Sequence, residues 1–306
     1  MKPQLNANTR KLHDLGQRIW LDNITREMLT RPVFDASSGG DGWVSLEVSP
    51  RLANDTAGTI QAAARLHARA ARPNLFIKIP GTPEGIPAIE QSIFHGVPVN
   101  ITLLFSRGHC LEAAHAYLRG IERRIEAGLN PKVESVASLF VSRWDVVVKE
   151  DVQPQLHNRL GVAMAMRTYK AHCDLLASER WQRLAAAGAH PQRLLWASTG
   201  MKDPAAPDTF YVEALAAAET IDTIPEKTLL AFADHGKLGA ILPADGGYAE
   251  RVLDEFKREG VDDEVLAAQL QREGVQAFAK SWSGLMARIR VKSSHPAVAA
   301  ETAGTA

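Results

Sequence analysis

Lys78 sits in the middle of Asn74-Leu75-Phe76-Ile77-Lys78-Ile79-Pro80-Gly81-Thr82, an apolar run patterned like a strand. Desolvating an ammonium inside a strand is expensive without a partner, so a lysine at this position calls for a reason. Two further apolar runs carry one charge each: Asp22 in Ile19-Trp20-Leu21-Asp22-Asn23-Ile24, and Glu47 in Val44-Ser45-Leu46-Glu47-Val48. A lysine that attacks a carbonyl to form an imine, with two carboxylates to move protons, is the chemistry such a trio would do inside a barrel of strands. An ordinary lysine with a pKa of about 10.4 is seldom neutral at neutral pH, and a desolvated interior raises the fraction of free amine. Plainer roles compete with this. A lysine on an edge strand can serve only to block edge pairing. The carboxylates could cap helices or pair with arginines, and Arg51 is the obvious partner for Glu47.

The elements that would carry these residues alternate along the chain. Strands are expected near 18–23, 43–48, 74–79, 97–103, 135–142, 193–198 and 219–224, with helix-like stretches between them. That alternation predicts a parallel sheet with crossover helices. Thr56 opens a helix over 56–71 with Ile60, Ala64, Leu66 and Ala70 on its apolar face. Ser106 caps a helix over 106–127 that stops at Gly128. A helical region covers 145–188 with a break near 178, and two more helices cover 248–259 and 263–290. Residues 37–42 (SSGGDG) form a loop, and Gly81-Thr82-Pro83-Glu84-Gly85 is a strand-to-helix turn, since it lacks the Lys-Ser/Thr ending of a phosphate loop. The expectation is one domain over 1–292 and a disordered tail over 293–306, rich in Ala, Thr and Gly. Seven strands are one short of a closed (β/α)8 barrel.

Composition narrows the partners. With 306 residues and 45% hydrophobic content, the chain can bury the core of one large α/β domain. Its 35 basic and 35 acidic residues balance, so no global attraction to nucleic acid or to an anionic membrane is expected. Cys110 and Cys173 are the only cysteines, and the ten histidines have no metal-ligand spacing, so neither a disulfide framework nor a metal site is expected. His109 and His115 on one helix, and Arg123 and Arg124 on the same helix, read as surface residues. No run approaches the ~20 apolar residues of a membrane span, and the N-terminus lacks the apolar core of a signal peptide. A cytoplasmic protein is expected.

Several motifs resemble the transaldolases of the bacterial type found alone or fused to glucose-6-phosphate isomerase. They are RPNLFIKIPGTPEGIPAIEQSIFHGVPVNITLLFS (72–106), SVASLFVSRWD (135–145), LLWASTGMKD (194–203), DTIPEKTLLAFADHG (222–236) and the N-terminal LHDLGQRIWLDNITREML. The resemblance implies a TIM (β/α)8-type barrel of the class I aldolase kind. It also implies transfer of a dihydroxyacetone unit between sugar phosphates, with no metal or organic cofactor. By position, Lys78 resembles the Schiff-base lysine, and Asp22 and Glu47 resemble the acid/base carboxylates. Asn100 and Thr102 resemble the residues that hold substrate and the catalytic water. Ser138, Arg143, Ser198 and Lys202 resemble the phosphate grip, although Arg143 could instead pair with Asp145 or Glu150. On this reading Glu47 shuttles protons through a water at Thr102, and Asp22 takes the proton of the C4 hydroxyl.

One departure stands out. The family's second strand carries a Thr-Ser-Asn-Pro-like motif, whereas here Glu27-Met28-Leu29-Thr30 runs directly into Arg31-Pro32-Val33-Phe34-Asp35. The sequence thus resembles a transaldolase that lacks an internal segment, with an incomplete barrel. Three activities fit: transaldolase, fructose 6-phosphate aldolase, or a non-catalytic sugar-phosphate binder, in each case a monomer or homodimer. A sheet lacking one strand exposes edges and interior. The chain should therefore melt below a full-length relative in calorimetry, and a more stable, cooperative monomer would overturn the missing-strand reading.

Overall fold

The computed structural model describes residues 30–294. Asp22 and the first expected strand, near 18–23, lie outside the described residues, as does the tail from 295 onward.

All six of the other expected strands are present: β1 (Val44–Glu47), β2 (Leu75–Pro80), β3 (Val99–Leu104), β4 (Ser135–Phe140), β5 (Arg193–Ala197) and β6 (Thr220–Asp222). They form one sheet in the order of the chain, and the pairs from β2 through β6 are parallel. Sequential parallel order with helical crossovers is the arrangement of (β/α) barrels. The helices are α1 (Arg31–Ala36), α2 (Thr56–Ala70), α3 (Gly85–Phe94), α4 (Arg107–Glu126), α5 (Ser142–Val148), α6 (Leu160–Ala177), α7 (Glu179–Ala186), α8 (Phe210–Ala214), α9 (Glu226–His235), α10 (Ala249–Arg258) and α11 (Asp263–Ser294). Between Thr30 and Val44, where relatives are expected to have a second strand, the chain forms α1 and a turn.

The chain divides into two compact units. One is Ser45–Val275; the other takes in residues up to Val44 and those from Gln276 onward. In the smaller unit, Phe34 meets Trp43 edge-on with ring centroids 5.1 Å apart, and the Trp43 indole donates to the Gly39 carbonyl at 2.9 Å. In the larger unit strands β2 to β5 are almost wholly buried, with Ile77, Ile79, Val99, Ile101, Val136 and Leu139 inaccessible to solvent. Most of their side chains are β-branched or leucine, as a parallel sheet covered on its faces requires.

Several boundaries differ from the sequence reading for local reasons. Helix α2 opens at Thr56 as expected and ends at Ala70, one residue early, and Asp55 caps it by accepting from the Gly58 amide at 2.9 Å. The buried face of that helix is Thr59, Ala62, Ala63 and Leu66, whereas Ala64 is exposed. The region 145–188 is interrupted at Ser178, as expected, and also across 149–159, where a short 3-10 turn (Pro154–Leu156) intervenes. The last helix continues through Ser294, four residues past its expected end. Ser106 does cap α4, accepting from the His109 amide at 3.2 Å. Arg123 and Arg124 are more than a solvated face. Arg123 binds Glu90 and Gln91 of α3, both at 3.1 Å, and Arg124 donates to the Phe94 carbonyl at 2.7 Å.

The turn after β2 is tight. The Thr82 hydroxyl donates to the Ala53 carbonyl at 2.6 Å and accepts from the Gly85 amide at 3.2 Å. A Cβ on Gly85 would lie 1.9 Å from the Pro80 carbonyl oxygen, so only glycine allows the chain to double back there.

The junction of α5 and α6 depends on one buried carboxylate. Asp145 accepts from the amides of Leu160 (2.9 Å) and Gly161 (3.2 Å), at the start of α6, and from the Tyr211 hydroxyl (2.7 Å). An anion at a helix N-terminus satisfies amides that have no partner within the helix. Burial nevertheless wins over these donors and pushes the Asp145 carboxyl up to about 6. The folded protein therefore holds this proton to higher pH than the unfolded chain, whose aspartate releases it near 3.8. Between those values the native state binds more protons, so Asp145 makes unfolding easier as pH rises, by roughly 1.4 kcal/mol per unit, and the loss is complete above about 6. In Asp145→Asn this contribution should vanish, so chemical denaturation should show wild type losing stability relative to the variant from about pH 4 to about pH 6. A pH-independent difference would refute the assignment. Asp145→Ala should be worse at every pH, since each buried donor left unpaired costs about 1–3 kcal/mol.

Candidate active site

Alternation along parallel strands puts every second side chain on the same face, and the register sets Lys78 beside Asn100 and Pro80 beside Thr102. Lys78 is the one residue of β2 that is not fully buried, and its side chain is 21% exposed. Its Nζ lies 2.9 Å from Oε1 of Glu47 on β1. Glu47 therefore has the lysine as a partner, and the carboxylate stands where it can exchange a proton with the amine. The two strands meet through the Val48 amide, which donates to the Lys78 carbonyl at 3.1 Å.

A second polar layer runs over the lysine's strand. The Asn100 amide donates to Ser45 Oγ at 2.9 Å, and the Ser138 hydroxyl donates to Asn100 Oδ1 at 2.7 Å. Ser45 is on β1 and Asn100 on β3, with β2 between them. Strands two apart in a flat sheet are separated by about 9–10 Å. A 2.9 Å side-chain contact across that gap places these residues on a concave face, with Lys78 inside the curve. Asn100, Thr102 and Ser138 are all buried, at 5%, 5% and 1% exposure. The Ser138 hydrogen is committed to Asn100, which ties this serine to the lysine's neighbourhood.

Thr102 differs from the others. Its hydroxyl is buried and has no hydrogen-bond partner among the described residues. Such a group is costly to leave unsatisfied. Next to it the backbone departs from regular pairing: Leu103 has φ +60°, and the β3–β4 register slips between Ile101 and Leu104. Gln271 of α11 holds this bend, donating to the carbonyls of Leu103 (3.0 Å) and Gly81 (2.9 Å).

The other expected residues gather where β4 and β5 end. The Val141 amide donates to the Ala197 carbonyl (3.0 Å) and the Ser142 amide to the Ser198 carbonyl (3.1 Å), which extends the pairing past both strands. Ser142 Oγ and Ser198 Oγ are 2.9 Å apart. Arg143 follows directly, its guanidinium carbon 5.6 Å from the centre of the Phe140 ring. It has no carboxylate partner among the described residues. Asp145, the expected competitor, is occupied at the start of α6. Lys202 is exposed, and next to it Asp203 is fixed by Lys149 (3.2 Å) and Asn158 (3.2 Å). Cations without a carboxylate partner among the described residues, close in sequence to serine hydroxyls at the C-terminal ends of parallel strands, suit an anionic group such as a phosphate.

Sequence reasoning passed over Ser45, Ser142 and the pair Thr199–Asp222. A signal existed for the first two, because Ser45 is two residues from Glu47 and so shares its face of β1, and Ser142 precedes Arg143. Among the described residues no group of three or more His, Cys, Asp or Glu side chains could hold a metal ion, and no helix is long and apolar enough to cross a membrane.

A lysine in contact with a carboxylate on a parallel sheet, with paired serine hydroxyls where two strands end, is a set of groups that a class I aldolase site could use. Comparison with known proteins agrees. The transaldolase/fructose-6-phosphate aldolase family model matches residues 3–289, and the chain belongs to that family. It is 46% identical over 269 residues to a transaldolase of Acidothermus cellulolyticus, which covers 85% of this chain and 72% of that protein. A transaldolase of Thiobacillus denitrificans is 44% identical over 269 residues (85% and 75%). Transaldolase 1 of Streptomyces avermitilis is 43% identical over 297 residues (90% and 78%).

The orphaned hydroxyl gives a direct test of the site. Thr102→Val keeps the shape and removes only the polar group, so the unfolding free energy should fall by no more than about 1 kcal/mol or should rise. If the hydroxyl positions a water for proton transfer, kcat should still drop by about 10²-fold or more. Unchanged turnover in a stable variant would make Thr102 a packing residue.

Proposed function

We propose that this protein is a transaldolase. It moves a dihydroxyacetone unit from fructose 6-phosphate or sedoheptulose 7-phosphate to an aldose phosphate, erythrose 4-phosphate or glyceraldehyde 3-phosphate, as in the pentose phosphate pathway. The observation that carries this is the 2.9 Å contact between Lys78 and Glu47 beneath the Ser45–Asn100–Ser138 chain, in a member of the transaldolase/fructose-6-phosphate aldolase family.

Lys78 attacks the C2 carbonyl of the donor, and Glu47 takes the proton that the nitrogen loses. The carbinolamine expels water with a proton returned from Glu47 through a water at Thr102, leaving the imine. A base then removes the C4 hydroxyl proton, the C3–C4 bond breaks, the aldose phosphate departs, and its electron pair stays on the enzyme-bound three-carbon enamine. Asp22 is assigned this base role from the family motif. C3 of the enamine attacks the acceptor aldehyde, the new hydroxyl collects the proton, and water hydrolyses the imine to free Lys78. Asn100 orients the three-carbon unit, while Arg143, Ser198 and Lys202 hold the phosphate. The role assigned to each residue rests on its place in the fold together with the family motifs. The enzyme works in the cytoplasm on soluble sugar phosphates, as a monomer or homodimer.

Borohydride reduction in the presence of fructose 6-phosphate should leave a reduced dihydroxyacetone adduct on Lys78, located by peptide mass spectrometry and absent from Lys78→Ala. Adding erythrose 4-phosphate should yield sedoheptulose 7-phosphate. Release of free dihydroxyacetone instead would mark an aldolase. A folded protein that forms no adduct would sink imine catalysis and leave a sugar-phosphate binder.

A further inference from the structure

Ser198 has φ +59°, in the left-handed region that a serine seldom adopts, and it lies directly after β5. Such a conformation persists only where the surroundings hold it. On one side the hold comes from the first residue of α5, just past β4: the Ser142 amide donates to the Ser198 carbonyl at 3.1 Å, and the two hydroxyls are 2.9 Å apart. On the other side it comes from β6. Thr199 is fully buried and its hydroxyl donates to Asp222 Oδ1 at 2.8 Å. Asp222 ends β6, and its neighbour Thr223 donates twice to the Trp196 carbonyl, from its amide and its hydroxyl, both at 3.0 Å. A carboxylate on β6 thus reaches the residue adjoining Ser198.

We propose that Asp222 and Ser142 form a two-sided clamp that fixes Ser198 in its left-handed conformation and so aims its hydroxyl at the substrate phosphate. This deepens the assignment of Ser198 to the phosphate grip and rests on that reading. Asp222 is a positioning residue and acts through Thr199, without touching the substrate. Burial pushes its carboxyl up to about 6 against the pull of the Thr199 hydroxyl, so the carboxylate is held in place at a cost that a merely decorative surface aspartate would not carry.

The clamp predicts a split between donors with and without a phosphate. Asp222→Ala should raise KM for fructose 6-phosphate about tenfold or more, equivalent to about 1.4 kcal/mol, with kcat changed less than about threefold. Its affinity for inorganic phosphate, measured by calorimetry, should fall by a similar factor, while kcat/KM for unphosphorylated fructose should move less than about twofold. Asp222→Asn retains an acceptor oxygen and should recover most of the phosphate affinity. If Asp222→Ala fails to fold, Thr199→Val removes the same hydrogen bond with little change of shape and should give the same split. Equal losses on both donors, or unchanged phosphate affinity in these variants, would overturn the clamp, as would a wild-type protein that binds no phosphate. Wild type that binds phosphate through an Asp222-dependent site but forms no Lys78 adduct would instead refute the transaldolase reading and leave the clamp standing.

Discussion

The site depends on curvature. Ser45 and Asn100 belong to strands that are not neighbours, yet their side chains hydrogen-bond at 2.9 Å over the strand that carries Lys78. That contact is possible only on the concave face of a strongly bent sheet. It places the lysine beside a chain of polar side chains in which Asn100 is held from both ends, its amide by Ser45 and its oxygen by Ser138. An asparagine held at both ends by hydroxyls has the position of its side chain fixed, because leaving that position would break two hydrogen bonds. Flattening the sheet would break this chain, whereas Lys78 and Glu47, on adjacent strands, would stay neighbours.

Satisfied and unsatisfied polar groups divide the labour on that face. Ser45, Asn100 and Ser138 neutralise one another, which makes their burial tolerable. Thr102 is left over, buried beside a backbone bend that Gln271 maintains from α11. Natural cores rarely leave such a group unpaired, so an orphaned hydroxyl within the lysine's layer marks a place for a small polar guest. The strand ends follow the opposite logic. There Arg143 and Lys202 have no carboxylate partner among the described residues, while the nearby carboxylates are occupied: Asp145 by helix amides, Asp203 by Lys149 and Asn158. Locking the acids away leaves the cations available to an anion.

How much of this could be read from the chain varies with range. The six described strands matched their apolar runs, and Ser106 and the break at Ser178 were evident from local rules. Thr56 was legible as the opening of α2, whereas the Asp55 cap was not singled out, since only the geometry of the turn brings its carboxylate to the Gly58 amide. The apolar face of α2 was drawn through Ala64 although it turns on Ala62, Ala63 and Leu66; alanines look alike in an amphipathic count, and packing against the sheet selects among them. Arg123 and Arg124 looked like solvent residues because their partners on α3 are some thirty positions away. The candidate site divides in the same way. Lys78, Glu47, Asn100, Thr102 and Arg143 stood out by type and motif, whereas Ser142 and Asp222 carry no mark of their own.

The sequence by itself determined the alternation of strands and helices, the placing of a lysine and a carboxylate on two separate strands, and membership of the transaldolase/fructose-6-phosphate aldolase family. These follow from periodicity and from motifs, both of which are local. Only the tertiary structure decided that Glu47 lies against Lys78, that Asn100 is held by Ser45 and Ser138, that the hydroxyls of Ser142 and Ser198 meet, and that Thr199 donates to Asp222. The reason is physical. Which polar groups meet depends on sheet curvature and register, and these are set by how the whole apolar core packs, a sum over distant contacts that no single window of sequence contains.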